Sequence, residues 1–324
     1  MKGTSVLIRR LFTLLVGLVL APFCAATLAA EQDCGRALAP TITFVQFQSP
    51  NLAAPSSPLT VKGKLSVPGG TSSGRCAPAN GKWPAVLILH GSSGVDARGD
   101  FYEQALNAAG IATLQIDMWE ARGVTGIANR PQAPILTYPD AFSALRFLAS
   151  HPNIVADRVG VLGFSWGGVV SLAAAEQLYA NTFGAGRRFK AHVANYPVCY
   201  AANNVSIPAL NPPAEKGTQF LTLTGAPVLI QIGSNDDYDN GTGPCRALAH
   251  SVNPSNNNTV EVIEYPGAYH AWDRLMIPVV APDPFGNLGS FFATGQLPLV
   301  RIVPDVQQAF ASRERVIKFF RRHL

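Results

Sequence analysis

Short, unbroken apolar runs alternate with stretches of helical periodicity almost to the end of this chain, and no other feature restricts its fold as much. Residues 84–90, 111–116, 159–164, 191–196, 228–232 and 260–265 are too short for buried helices and are bounded by glycine, proline or polar turns. They are apolar throughout rather than at every second position, the pattern of strands buried on both faces of a parallel sheet. Between them, apolar residues recur at helical spacing over 101–109, 140–150, 167–178, around 245–252 and over 305–320. Two further strands, 41–47 and 59–67, precede the alternation. The expectation is an α/β fold: a mainly parallel sheet flanked by helices on both faces, with ligands bound beyond the C-terminal ends of the strands. Residues 276–304 carry several Pro and Gly and no clear period, and read as a long loop crossing the site or the sheet edge.

With 48% hydrophobic and 14% charged residues, the 324-residue chain can fill one large interior and has little charge for disordered tails. Of its formal charge of +5, Lys2, Arg9 and Arg10 lie in the first thirty residues, where no acidic residue stands. No basic run interleaved with aromatics follows, apart from the short end Arg321-Arg322-His323, so a nucleic-acid partner has no electrostatic footprint. The three leading cations precede an apolar stretch over 11–23 and the small residues Ala25, Ala26, Ala29 and Ala30. Residues 1–30 therefore read as a removable signal peptide, residues 31–324 as a single domain, and the location as periplasmic or secreted. An uncleaved anchor is the rival, but Pro22 and the alanines favour cleavage, so no stable membrane anchor is expected. Arg9-Arg10-Leu11-Phe12 also resembles a twin-arginine signal, which leaves the export route open.

Cleavage would remove Cys24, which lacks a lipoprotein context because Phe23 stands where a small residue belongs. Cys34, Cys76, Cys199 and Cys245 remain, an even set that suits an oxidising compartment. Of the three pairings, proximity in the expected fold favours Cys34 with Cys76 and Cys199 with Cys245.

The chemistry-bearing residues fall at strand ends. Gly163-Phe164-Ser165-Trp166-Gly167-Gly168 lies where a strand gives way to a helix, the G-x-S-x-G context that exposes a strained serine as nucleophile. A serine hydroxyl needs an imidazole to take its proton and a carboxylate to orient that ring. On such a fold the chain order is Ser, acid, His. Of the histidines after Ser165, His250 sits in an expected helix and His323 at the chain end, whereas His270 follows a strand and is the expected base. The acid is expected in Asn235-Asp236-Asp237-Tyr238-Asp239, with Asp236 chosen over Asp237 and Asp239. Oxyanion donors are expected from the backbone of Trp166 and of Ser92, with Ser93 as the alternative, in His90-Gly91-Ser92-Ser93-Gly94. His90 reads as a structural residue beneath that loop. Trp119, Trp166 and Trp272, all near strand ends, suggest an aromatic wall for an apolar acyl group, with core packing as the alternative.

Taken together, the His90–Gly94 loop, the Gly163–Gly168 turn, Gly233-x-x-Asp236-Asp237, Tyr265-x-Gly267-x-x-His270-x-Trp272 and Phe319-Phe320-x-x-His323-Leu324 resemble the dienelactone hydrolase family of α/β-hydrolases. The resemblance spans most of residues 40–324. Well-known members carry a cysteine where Ser165 stands and a glutamate near Gly91, and both are missing here. The likeness thus implies hydrolysis of a carboxylic ester or lactone, a small-molecule substrate, by the ordinary serine esterase arrangement. It further implies that Arg122 and Arg274 grip a substrate carboxylate; the alternative pairs Arg122 with backbone or Glu120, and Arg274 with Asp273. No HExxH, Cys-x-x-Cys or phosphate-loop pattern is present, and no metal or organic cofactor is expected. The same machinery would also serve a peptidase, a polyester hydrolase or a carbohydrate deacetylase, and a binding protein that keeps the fold without turnover is the reading from another class.

Overall fold

The computed structural model describes residues 38–69, 81–126, 129–202, 222–257 and 259–324; the expected signal peptide and both Cys34 and Cys76 lie outside these. In chain order the elements are β1 (Leu38–Ser49), β2 (Leu59–Gly69), β3 (Trp83–Leu89), α1 (Ala97–Ala108), β4 (Ala112–Asp117), α2 (Tyr138–Ser150), β5 (Ile154–Phe164), α3 (Trp166–Ala174) and α4 (Gln177–Phe183). They continue as β6 (Ala191–Asn195), β7 (Val228–Gly233), α5 (Gly243–Val252), β8 (Val260–Tyr265), β9 (Val279–Pro282), α6 (Phe291–Thr294), β10 (Leu299–Ile302) and α7 (Val306–His323).

Eight strands form one sheet in the order β1-β2-β4-β3-β5-β6-β7-β8. β1 and β2 pair antiparallel with each other and β2 with β4, while every pair from β4 to β8 is parallel. The apolar runs occupy the parallel part because it is covered on both faces: α1 packs with α7, and α2 packs with α3 and α4. Leu87, Leu89, Val161 and Leu229 are fully buried there, and each such side chain stabilises the fold by about 1.5–3 kcal/mol. Asp96 caps α1 by accepting from the Arg98 amide at 3.1 Å, and Asp305 caps α7 by accepting from Gln308 at 2.9 Å.

Two sequence expectations need correction. The helix expected over 167–178 breaks after Ala174, because the backbone of 175–177 pairs instead with 222–224: Gln177 donates to the Thr222 carbonyl and Thr224 to that of Ala175, both at 2.8 Å. The segment 276–304 is not one loop. Within it β9 and β10 pair antiparallel, Val280 opposite Arg301 and Ala281 opposite Val300, with α6 between them. Ile302 bridges to His270, which fastens this hairpin beside the C-terminal ends of β5, β7 and β8.

Candidate active site

Ser165 follows β5 with φ 50°, a conformation a non-glycine residue holds only under constraint. Its amide donates to the Asn195 carbonyl at 2.9 Å, and the next turn is clamped as Gly167 donates to His90 at 3.1 Å. A Cβ at Gly163 would overlap the Gly167 carbonyl, and one at Gly167 would overlap that of Leu89, which is why both positions are glycine. Trp166 opens α3, so its N–H has no acceptor within the helix and stands beside the serine.

The structure brings Ser165, His270 and Asp236 together, although they sit on loops after β5, β8 and β7. Ser165 Oγ lies 2.9 Å from His270 Nε2, and His270 Nδ1 lies 2.8 Å from Asp236 Oδ2. The other oxygen of Asp236 accepts from the Tyr238 amide at 2.8 Å. With the carboxylate accepting from Nδ1–H, Nε2 is left free to accept the serine proton. The imidazole is wedged between the rings of Tyr196 and Tyr238, with centroids at 4.8 and 4.2 Å. Ser165 is buried but still 8% exposed, whereas His270 and Asp236 are covered almost completely.

The neighbouring aspartates are committed elsewhere. Burial works against the charge of Asp237, but the hydrogen bonds and charge of Arg301 hold its carboxyl below the usual range. Asp239 accepts from the amides of Cys199 and Tyr200 at 2.8 and 2.7 Å, and burial, then the charge of Asp236, pushes its carboxyl up to about 8. Beside it Cys199 and Cys245 are joined in a disulfide with Cα atoms 4.9 Å apart. Among the described residues, the sole group of metal-ligating side chains close enough to share an ion is these two bonded cysteines with Asp239. Sulfur in a disulfide is not the thiolate a metal needs.

The cleft has two small lobes that meet at Ser165 and Ser92. One, of about 30 Å³, is lined by Trp166, Val169, Val198, Phe285 and Arg130, with Asp283 shared between the two. The other, of about 40 Å³, holds His270, Ser93 and Arg274 under the hairpin residues Ala281, Val300 and Ile302. Ser92 lines both lobes, and its carbonyl is held by Trp119 Nε1 at 3.1 Å. His90 braces the same loop: its Nδ1 faces the Gly91 carbonyl at 2.8 Å and its Nε2 accepts from the Met118 amide at 2.9 Å.

Three expected site residues have other work. Arg122 spends its guanidinium on Asp140, at 2.6 Å, and on the carbonyls of Met118 and Leu136, so it is a structural cation and not a substrate clamp. Trp119 packs edge-on against Trp166 and His90 behind the Ser92 loop, and lines neither lobe. Trp272 is fully buried between Tyr196 and Tyr265 and donates to Ser312, which makes it core. Trp166 is the tryptophan that lines the cleft, its Nε1 donating to Thr137 at 3.0 Å.

Arg274 does reach the cleft. Its Nε is buried without a hydrogen-bond acceptor, 3.5 Å from an Asp96 oxygen already gripped at 2.6 Å by Arg98. Arg98 also donates to the Tyr196 hydroxyl at 3.2 Å, and that hydroxyl donates to Asp273 at 2.5 Å, a buried chain directly beneath His270. Arg98, Arg130 and Asp283 escaped the sequence reading because no motif or period marks them; they meet the site only through tertiary contact.

The family model for the Dienelactone hydrolase family matches residues 74–323. The chain belongs to that family. It is a hydrolase acting on esters or lactones, within the α/β-hydrolase superfamily. A curated relative from a Bradyrhizobium species, named "Probable 2-oxo-3-(5-oxofuran-2-ylidene)propanoate lactonase", is 24% identical over 225 residues, which are 64% of this chain and 82% of that protein. Among solved structures, a hyperthermophilic esterase from the archaeon Pyrobaculum calidifontis superposes with a TM-score of 0.54 at 13% identity, covering 86% of this chain and 85% of its own. A dienelactone hydrolase-like promiscuous phosphotriesterase from metagenomic libraries gives 0.53 at 17% identity over 87% of this chain and 98% of its own. At such identities these two likenesses speak for the fold alone.

Proposed function

We propose that this chain is an exported serine hydrolase that cleaves carboxylic esters or lactones through an acyl-enzyme, with Ser165 as nucleophile, His270 as general base and Asp236 as its orienting acid. The observation that carries the reading is the pair of contacts at 2.9 and 2.8 Å linking hydroxyl, imidazole and carboxylate. His270 takes the serine proton as Ser165 Oγ attacks the carbonyl carbon, and the imidazolium that forms is stabilised by Asp236. The tetrahedral oxyanion is met by the N–H groups of Trp166 and Ser92, each such donor lowering the barrier by about 3 kcal/mol. His270 then returns its proton to the departing alkoxide, and a water repeats the sequence to free the acid.

Arg274 favours a refinement. A guanidinium that lines the His270 lobe, with Asp96 3.5 Å from its buried Nε and already gripped by Arg98, would draw substrates bearing a carboxylate, whereas Arg122 cannot take part in such a clamp. For export, the disulfide between Cys199 and Cys245 supports an oxidising compartment, in agreement with residues 1–30 acting as a removable leader.

The test is reaction with a fluorophosphonate probe followed by peptide mapping, together with burst release of nitrophenol from nitrophenyl acetate. Labelling of Ser165 and a burst lost in Ser165→Ala are expected. A label elsewhere, or turnover that survives the substitution, would remove the reading.

A further inference from the structure

The two lobes differ in which reacting group they contain, and under the serine hydrolase reading, on which this inference rests, that difference assigns them. The leaving oxygen takes its proton from His270 Nε2, so the alcohol portion must lie in the lobe lined by His270. The other lobe is lined by Ser165 and Trp166 but not by His270, and is left for the acyl chain. About 30 Å³ of space is available in it, where a water molecule needs roughly 10–15 Å³ on the same measure. The enclosed part holds a group of only a few atoms, and the rest of the lobe is open to solvent.

One wall of this lobe is made under strain. Val198 has φ 57° and ψ 62°, the left-handed region, and Tyr196 two residues earlier has φ 42°. A β-branched residue is a poor choice for that backbone, where glycine meets no penalty. The surroundings nevertheless hold it there: the amides of Cys199 and Tyr200 are pinned to Asp239, Cys199 is tied to Cys245, and Ala201 donates to the Val198 carbonyl at 3.2 Å. The isopropyl group that results packs in one apolar cluster with Val169 and Phe285. Arg130 and Asp283, which also line this lobe, meet at 3.1 Å with both side chains nearly buried, so the charge there is cancelled and offers nothing to an acidic acyl group.

We infer that Val198 is a specificity-determining residue, its strained backbone retained because the side chain it carries restricts the acyl group to short, uncharged chains. Strain at a position lining the cleft is the form in which functional constraint is stored.

The experiment compares kcat/KM for nitrophenyl acetate, butyrate, hexanoate and octanoate, with alkyl acetates of rising alcohol length as a second series. The full chain is expected to lose about tenfold or more between butyrate and octanoate, since each misfit methylene in a tight apolar pocket costs on that order. Val198→Gly should raise the octanoate-to-acetate ratio by about tenfold while leaving the alcohol series unchanged, and its thermal midpoint should hold or rise as the left-handed backbone is relieved. Val198→Ala, which shortens the side chain without freeing the backbone, should shift the ratio in the same direction by less, and serves if the glycine variant does not fold. A flat acyl series in the parent chain, ratios unmoved by both substitutions, or a change confined to the alcohol series would overturn the assignment while leaving Ser165 chemistry intact. Absence of turnover together with absence of Ser165 labelling sinks the catalytic reading and this inference with it.

Discussion

Arg301 grips Asp237 with three hydrogen bonds at the edge of the cleft, Nη2 donating to Oδ1 at 2.6 Å, and Nε and the backbone amide donating to Oδ2 at 2.8 and 2.9 Å. That pairing turns Asp237 away from His270 and leaves Asp236 to orient the ring. Asp236→Asn should therefore lower kcat by about 10⁴ through the wrong imidazole tautomer. Asp237→Asn, whose partner is half exposed, should change kcat by less than about tenfold and stability by no more than about 1 kcal/mol. Steady-state hydrolysis of nitrophenyl acetate and a denaturant titration read both, and the reverse ranking would move the acid to Asp237.

The two arginines that looked equivalent in the sequence should separate cleanly. Arg122→Ala strips a fully buried Asp140 of its cation and should cost about 3–5 kcal/mol of stability, with activity per folded molecule little changed. Arg274→Ala should leave stability nearly intact and reduce kcat/KM for a carboxylated ester at least about tenfold more than for its neutral analogue, the scale of one charge-assisted contact. Equal losses on the two esters would show that Arg274 does not read the substrate's charge.

The Cys199–Cys245 bridge closes a span of 46 residues that includes β7 and Asp236. Chain entropy puts its contribution at about 4 kcal/mol as an upper figure, with about 2–4 usual. The double Cys→Ser variant should unfold at correspondingly lower denaturant, and peptide mapping of the alkylated parent chain should find Cys199 and Cys245 blocked until it is reduced. An unchanged midpoint would mean that the unfolded chain is not constrained by this link.

His192 predicts a pH dependence of stability that is independent of catalysis. Its ring is fully buried on β6 against Phe189, with Nδ1 3.1 Å from the Ser171 carbonyl and Nε2 without a hydrogen-bond partner. Burial drives its pKa down from 6.5 to about 4, against the smaller upward pull of the Ser171 carbonyl. The unfolded chain thus takes up this proton more readily than the folded one, so the contribution is complete above about pH 6.5 and is lost as pH falls toward 4. The drop amounts to about 3 kcal/mol. His192→Gln should flatten the denaturation free energy over that interval; a slope identical to the parent's would contradict the account.

Much of the architecture was legible because the central parallel strands are buried on both faces and so write themselves as solid apolar runs: β3 and β7 begin and end within about a residue of where the pattern puts them. The turn around Ser165 was legible for a different reason, since Gly163 and Gly167 are required by backbone proximity and leave a fixed spacing around it. The direction of a side chain beyond a strand end carries no such mark. Trp119, Trp166 and Trp272 look alike in sequence, yet one faces the cleft, one props the Ser92 loop and one fills the core. The β9–β10 hairpin was equally silent: each strand is only four residues long, and apolar residues stand on both faces, because one face lines the cleft while Val280 and Leu299 point outward beside Arg301. Arg130 and Asp283 find each other across 153 positions, a separation at which no local pattern can report a pair.

The roof over Ser165 is supplied by a hairpin that contributes no strand to the eight-stranded sheet. Most of that roof can therefore change in length and composition while the eight-stranded scaffold keeps its pairing. Ile302 and Arg301, which bridge to His270 and grip Asp237, are the points of that roof that cannot be altered without disturbing the cleft.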